Sequence, residues 1–201
     1  EDVVASNDDS ANVVIETKGD IDADDLVAHA PGAGEDGQGN GNGNIILTSE
    51  EGNIDLDGAQ ADHDIVITPG KDADGKYIGD ANVNDAHADA DNDKDGDLII
   101  NGRNVTVDVE DVTEDQDGNK TVTPTGDTTT GNNVIINADN DVVAEDINSN
   151  DDIIITAGND VIGDNLIADA ENPNTADSDG IGDLIINAGK DVDLDNGEGI
   201  A

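Results

Sequence analysis

The sequence predicts an all-β fold, a parallel β-helix (β-solenoid) of about seven coils that carries Asp-rich inserted loops. Three observations lead there: a short pattern that recurs seven times, an interior with almost no aromatic bulk, and the lack of any helical periodicity. The pattern is an Asn or Asp, three aliphatic residues, one polar residue and then usually a small one. Its copies open at Asn12, Asn44, Asp64, Asp97, Asn133, Asp152 and Asp183. The first aliphatic residues are Val13, Ile45, Ile65, Leu98, Val134, Ile153 and Leu184, separated by 32, 20, 33, 36, 19 and 31 residues. The short spacing reads as one coil, and the longer ones as the same coil with a loop inserted. Residues 1–201 then form a single domain with inserts near 28–42, 71–96, 110–131 and 168–182.

A second apolar segment follows most copies after a polar turn: Ile21, Ile54–Leu56, Val105–Val107, Val142–Val143, Val161–Ile162 and Val192–Leu194. Weaker third segments stand at Leu26–Val27, Ile147 and Leu166–Ile167, so three short strands per coil suggest a triangular section. In the insert after Val109, Val112–Thr113 and Thr121–Val122 flank Asp117-Gly118-Asn119 and predict a hairpin. No apolar stripe with a 3.6-residue period exists, and Gly and Asn interrupt every segment. The chain has no Phe, Trp, Met or Cys and a single Tyr, so the core must be thin and built from Val, Ile, Leu and Ala.

Strand alternation assigns faces. The first and third aliphatic residues of each copy, and the small residue after the polar one, point inward. The middle aliphatic residue points outward in all seven copies: Val14, Ile46, Val66, Ile99, Ile135, Ile154 and Ile185. A continuous outer stripe of β-branched side chains predicts self-association through that face. The ends of the rod lack a capping helix, which adds end-to-end stacking as a second route to a homo-oligomer. The residues that open each copy form an outward column. In it, adjacent Asp152 and Asp183 would repel, so solvated side chains that splay apart are expected there.

Charge sets the remaining bounds. Forty Asp and ten Glu face seven Lys and Arg, a net charge of −43. Asp favours turns and ligates hard cations from loops, whereas Glu would favour helices. Nucleic acid and anionic membranes are excluded as partners, and no apolar run is long enough for membrane insertion. A chain without Met that begins at Glu1 is expected to be processed or part of a longer polypeptide.

The inserts share the motif D-x-D-G: Asp72-Ala-Asp74-Gly75, Asp93-Lys-Asp95-Gly96, Asp115-Gln-Asp117-Gly118 and Asp177-Ser-Asp179-Gly180. Alternate carboxylates before a Gly turn can wrap oxygen ligands around Ca²⁺. The fullest copy runs Asp91-Asn-Asp93-Lys-Asp95-Gly96-Asp97 and matches the first half of an EF-hand loop, with Gly102 where a bidentate acid would stand. Asp91, Asp93, Asp95, Asp97, Asp72, Asp74, Asp115, Asp117, Asp177 and Asp179 are therefore the candidate calcium ligands. His29, His63 and His87 lie in three different segments and read as solvated loop histidines.

Stretches such as Asp152-Ile-Ile-Ile-Thr-Ala-Gly-Asn-Asp-Val161 and Asp183-Leu-Ile-Ile-Asn-Ala-Gly-Lys-Asp-Val192 resemble the repeats of filamentous-haemagglutinin-type adhesins. The resemblance covers most of residues 12–196 and implies a right-handed parallel β-helix of an extracellular or cell-surface protein. It bears on fold and extracellular setting more than on any particular partner; a cell-surface or polysaccharide ligand is a further expected partner. Function classes then separate on residue content. An enzyme that cleaves polysaccharides would need aromatic platforms or a cationic cluster, and seven scattered basic residues supply neither. An ice-binding solenoid would need a regular Thr array, whereas the polar residues here mix Thr, Asn and Glu. The sequence therefore predicts no enzyme, but a calcium-dependent fibre or matrix subunit, with a segment of a large surface adhesin as the alternative.

Overall fold

The computed structural model describes residues 3–6, 11–30, 42–90, 96–114, 120–168, 182–194 and 198–199. Among them every regular element is a strand, and no helix occurs. Parallel strands stack into sheets, an arrangement consistent with a β-solenoid or β-helix.

The seven predicted anchor strands form one parallel sheet: Val13–Thr17, Ile45–Ser49, Ile65–Thr68, Leu98–Gly102, Val134–Ala138, Ile153–Ala157 and Leu184–Ala188. The register matches the repeat residue for residue, so Leu98 pairs with Val134, Val134 with Ile153 and Ile153 with Leu184. Repeats far apart in sequence become neighbours because the same short pattern returns once per layer. β-Branched side chains suit a pleated surface that is packed on one side.

Twelve of the remaining fourteen strands form a second, forked sheet, with Val3–Ser6 at its edge beside Ile21–His29. Its stem is three long strands, Ile21–His29, Ile54–Ala61 and Ala81–His87. One arm continues through Val105–Val107, Val142–Ala144, Val161–Gly163 and Val192–Leu194. The other continues through Thr129–Gly131, Ile147–Ser149, Leu166–Ala168 and Glu198–Gly199. The fork opens at Asp108, where the hairpin insert leaves the sheet. Six of the rungs bend sharply between the two halves, each at one residue in the left-handed region: Asp25, Gly58, Asp85, Asp108, Asp146 or Asn165. Asp and Asn tolerate that conformation better than other residues with a Cβ.

Two predicted inserts change in extent. The segment 71–96 contains the core strand Ala81–His87, which pairs with Ile54–Ala61 on one side and Val105–Val107 on the other. The segment 110–131 ends in the core strand Thr129–Gly131. What remains outside the layers is a turn over 71–79 and the hairpin Val109–Glu114 with Lys120–Pro124. The hairpin has the predicted pairs Val112–Val122 and Thr113–Thr121; its tip, 115–119, lies outside the described residues, as do 31–41 and 169–181. The hairpin folds back over one arm of the forked sheet. Lys120 Nζ lies 3.5 Å from Asp141 Oδ2, Val122 and Pro124 share a cleft with Ile162, and the outward Val143 is only 5% exposed.

One continuous core cluster runs through all layers and is filled by Val, Ile, Leu and Ala. Ile45, Leu47, Ile65, Ile67, Leu98, Ile100, Val134, Ile136, Ile153 and Ile155 are each fully buried. Each such side chain contributes roughly 1.5–3 kcal/mol. The alternation buried, half-exposed, buried in these strands is the predicted parity.

The corners after the last two anchor strands are tight enough to demand glycine. A Cβ on Gly158 would stand 2.1 Å from the Asp139 carbonyl oxygen, and one on Gly189 2.0 Å from that of Gly158. Backbone atoms cannot yield there without shifting a rung. Gly158→Ala is therefore expected to destabilise the fold by about 1–3 kcal/mol, read as a lower urea midpoint. An unchanged midpoint would mean that the corner is looser than its geometry.

Candidate functional site

The predicted outer stripe forms as a single column. Val14, Ile46, Val66, Ile99, Ile135, Ile154 and Ile185 pair in register through six successive strand contacts. Val14 is 54% exposed, Ile46 36% and Ile185 40%, and the four between them are half-buried by their neighbours in the column. Two residues along, the outward polar column runs beside it. Asn137 Nδ2 donates to Asn101 Oδ1 at 3.3 Å, and Asn101 Nδ2 to the Ile67 carbonyl at 3.1 Å.

The column that opens the repeats differs from the expected splayed side chains. Each residue's Oδ1 accepts the backbone N–H of its counterpart in the next layer. Asn12 accepts from Asn44, Asn44 from Asp64, Asp64 from Asp97 and Asp97 from Asn133. Asn133 then accepts from Asp152, and Asp152 from Asp183 at 2.8 Å. Repulsion between stacked carboxylates is offset because each faces an N–H donor, and charge-assisted bonds are stronger than neutral ones.

A second ladder was missed in the sequence. Asn53 N–H donates to Asp20, Asp80 to Asn53, Asn104 to Asp80, Asp160 to Asp141 and Asp191 to Asp160. The signal was present as an Asn or Asp immediately before every second strand. Within this ladder burial would raise the Asp80 carboxyl, but bonds from Arg103 and Asn104 outweigh it and hold it below the usual range. Seven of the forty Asp residues thus serve in the two ladders as side-chain acceptors for backbone donors at the corners.

Of the predicted calcium ligands, Asp72, Asp74 and Asp97 lie among the described residues, whereas Asp91, Asp93, Asp95, Asp115, Asp117, Asp177 and Asp179 lie outside them. Asp72 Oδ1 accepts the N–H groups of Asp74 and Lys76, Gly75 has φ +83°, and Lys71 sits 4.3 Å over the Tyr77 ring. In this copy the motif closes a polar turn. Asp97 is a rung of the first ladder, its Oδ1 accepting from both nitrogens of Asn133. Among the described residues no three His, Asp or Glu side chains are placed to share a metal ion.

The histidines are bonded rather than simply solvated. His29 Nδ1 lies 2.9 Å from Oδ2 of the buried Asp62, which also accepts the Ala30 N–H. His63 Nδ1 lies 3.1 Å from Asn44 Oδ1, and His87 bridges Thr130 Oγ1 and Asp85 Oδ1.

Two further features have no counterpart in the sequence reading. One is a polar groove of about 460 Å³ on the arm opposite the hairpin, lined by Gln60, His87, Asp89, Thr130, Asn148 and Asn150. The other is Asp108, fully buried at the fork, whose carboxylate accepts N–H groups from Asp85 and Thr129. Burial pushes the Asp108 carboxyl up to about 6, against the lowering effect of those bonds.

No family model matches the chain, and no curated protein and no solved structure matches it. Among the described residues no helix is long and apolar enough to cross a membrane.

Proposed function

We propose that the chain is an extracellular, non-enzymatic structural element, a right-handed β-helix of seven coils that assembles laterally and end to end into a fibre or matrix. The reading rests on the outer stripe. Seven β-branched side chains in register on the outer sheet face, three of them exposed and four half-buried, make an apolar surface of the kind that marks an interaction site. A second copy of the same column is its natural partner, because a twofold contact places a surface against itself.

Charge sets the condition for assembly. Bodies each near −43 repel until cations or salt reduce the field. Calcium bound by the D-x-D-G inserts, above all Asp91, Asp93 and Asp95, is the permissive ion in this reading.

Light scattering and electron microscopy with and without about 1 mM Ca²⁺ test it. Filaments or lateral clusters are expected with calcium only. Ile99→Asp, Ile135→Asp and Ile154→Asp together should abolish lateral contacts and keep a β-sheet circular dichroism spectrum, with Thr at the same positions as the milder variant. Chelation should also lower the melting temperature, since an ion that binds only the folded form stabilises it by mass action. A wild type that stays monomeric with calcium, or a triple variant that assembles normally, overturns the reading. A segment of a surface adhesin then takes its place.

A further inference from the structure

The groove on the arm opposite the hairpin is a different surface from the stripe, on a different sheet. Its spine is an outward column that crosses four consecutive strands: Gln60 pairs with His87, His87 with Thr130 and Thr130 with Asn148. Three strand steps make it roughly 14 Å long. Beside the column, Asp89 is 3% exposed with φ +58°, and Asn150 Nδ2 donates to its Oδ2 at 3.1 Å. A carboxylate that is buried and fixed in orientation can accept ligand hydroxyls without first being ordered.

The column is unevenly satisfied. Its central pair is bonded, with His87 Nδ1 2.9 Å from Thr130 Oγ1. The terminal amides are not: among the described residues the side chains of Gln60 and Asn148 have no hydrogen-bond partner. Each carries two donors and an acceptor, and the two flank the concave surface. The other described lining residues are Ala88, Ala90 and Gly131.

These contents select the ligand. Among the described residues no Lys or Arg lines the groove, and the net charge of the molecule repels anions. Among the described lining residues an apolar ligand finds only the methyl groups of Ala88, Ala90 and Thr130. A saccharide fits, because its hydroxyls donate and accept at once and so match amides, a hydroxyl, an imidazole and a carboxylate together. We propose that this groove is a subsite for a neutral oligosaccharide lying along the strand-stacking direction, across Gln60, His87, Thr130 and Asn148. Asp89 and Asn150 contribute a fixed acceptor and donor at its side. Without an aromatic platform the single-site affinity is weak. Repetition of the subsite in an assembly raises the effective affinity by avidity.

The test is titration of ¹⁵N-labelled full chain with cellopentaose and with maltopentaose, and with an oligogalacturonate as the charged control. At least one neutral probe should give saturable shifts of the side-chain amide signals of Gln60, Asn148 and Asn150, and the charged probe should not. Gln60→Ala with Asn148→Ala should weaken binding by at least about fivefold, the scale of one or two lost hydrogen bonds. Gln60→Glu keeps the shape, removes the donors and should act in the same direction. If neither neutral probe moves these signals, if the charged probe binds as well, or if the double variant binds like wild type, the proposal is wrong. Assembly is read separately by light scattering on the same samples, so failure of either idea leaves the other standing.

Discussion

Ile136→Asp is expected to abolish cooperative folding, whereas Ile135→Asp, one residue away, is expected to cost no more than about 1 kcal/mol. Ile136 is fully buried and pairs in register with Ile100 on one side and Ile155 on the other. A carboxylate there has apolar neighbours above, below and across the core, and no cation to accept it. Desolvating an unpaired charge costs many kcal/mol, so the chain either protonates it or unfolds. Even Ile136→Ala should cost about 2–5 kcal/mol, because rungs stacked on both sides prevent the cavity from collapsing. Ile135 points to the opposite face, where it is half-exposed, and an Asp side chain at that position stays hydrated. Urea unfolding followed by circular dichroism reads both variants. Similar costs for the pair would invert or erase the face assignment, and the interaction stripe would fall with it.

The parts of this fold that were legible in the sequence are those where one short segment carries its own signal. Asp97-Leu98-Ile99-Ile100-Asn101 announces a strand, its inward and outward faces, and by recurrence its neighbours. The strand Ala81–His87 carries no such signal. Its inward residues are Ala81, Val83 and Ala86, set among Asn, Asp and His, so it read as part of a polar insert. Thr129–Gly131 is harder still, since its buried residues are a Thr and a Gly. Both are strands because a preformed sheet edge offers them backbone partners, which is a property of the neighbouring layer and not of the segment.

The Asp residues divide in the same way. Their abundance and their turn chemistry were readable, and the cation reading of D-x-D-G followed from spacing. That a carboxylate oxygen of Asp20, Asp80 or Asp152 would accept an N–H from the next layer depends on register between residues 24 to 33 apart. The single carboxylate buried at the fork could not be picked out of forty by type alone. The groove was invisible for a related reason, since Gln60, His87, Thr130 and Asn148 come from four strands and share no motif.

Asp108 is expected to make stability fall as pH rises from about 4 to about 6. Its backbone and side chain close the fork: the N–H donates to the Val83 carbonyl, and the carbonyl accepts from Thr125, where the chain returns from the hairpin. The two carboxylate oxygens accept the Asp85 and Thr129 N–H groups at 2.9 and 2.8 Å. Burial raises its carboxyl from 3.8 to about 6, and Asp127 adds to the rise. Between those values the native state holds a proton that the unfolded state has released. Unfolding is therefore favoured as pH increases through that window, and the cost saturates near about 3 kcal/mol above it. The sign is opposite to that of a carboxylate paired with a cation. Relief of general repulsion on acidification acts in the same direction in this acidic chain, so wild type alone cannot isolate the effect. Asp108→Asn keeps one acceptor and the left-handed bend but cannot titrate. Its unfolding free energy should vary less with pH than wild type between 4 and 6, by up to about 3 kcal/mol. At pH 4, where wild-type Asp108 is protonated, the variant should be the less stable of the two. Its amide directs a donor at one of two N–H groups, whereas a protonated carboxyl can turn its hydrogen away. Parallel pH profiles for the two proteins would show that the fork carboxylate is solvated and does not titrate in this range.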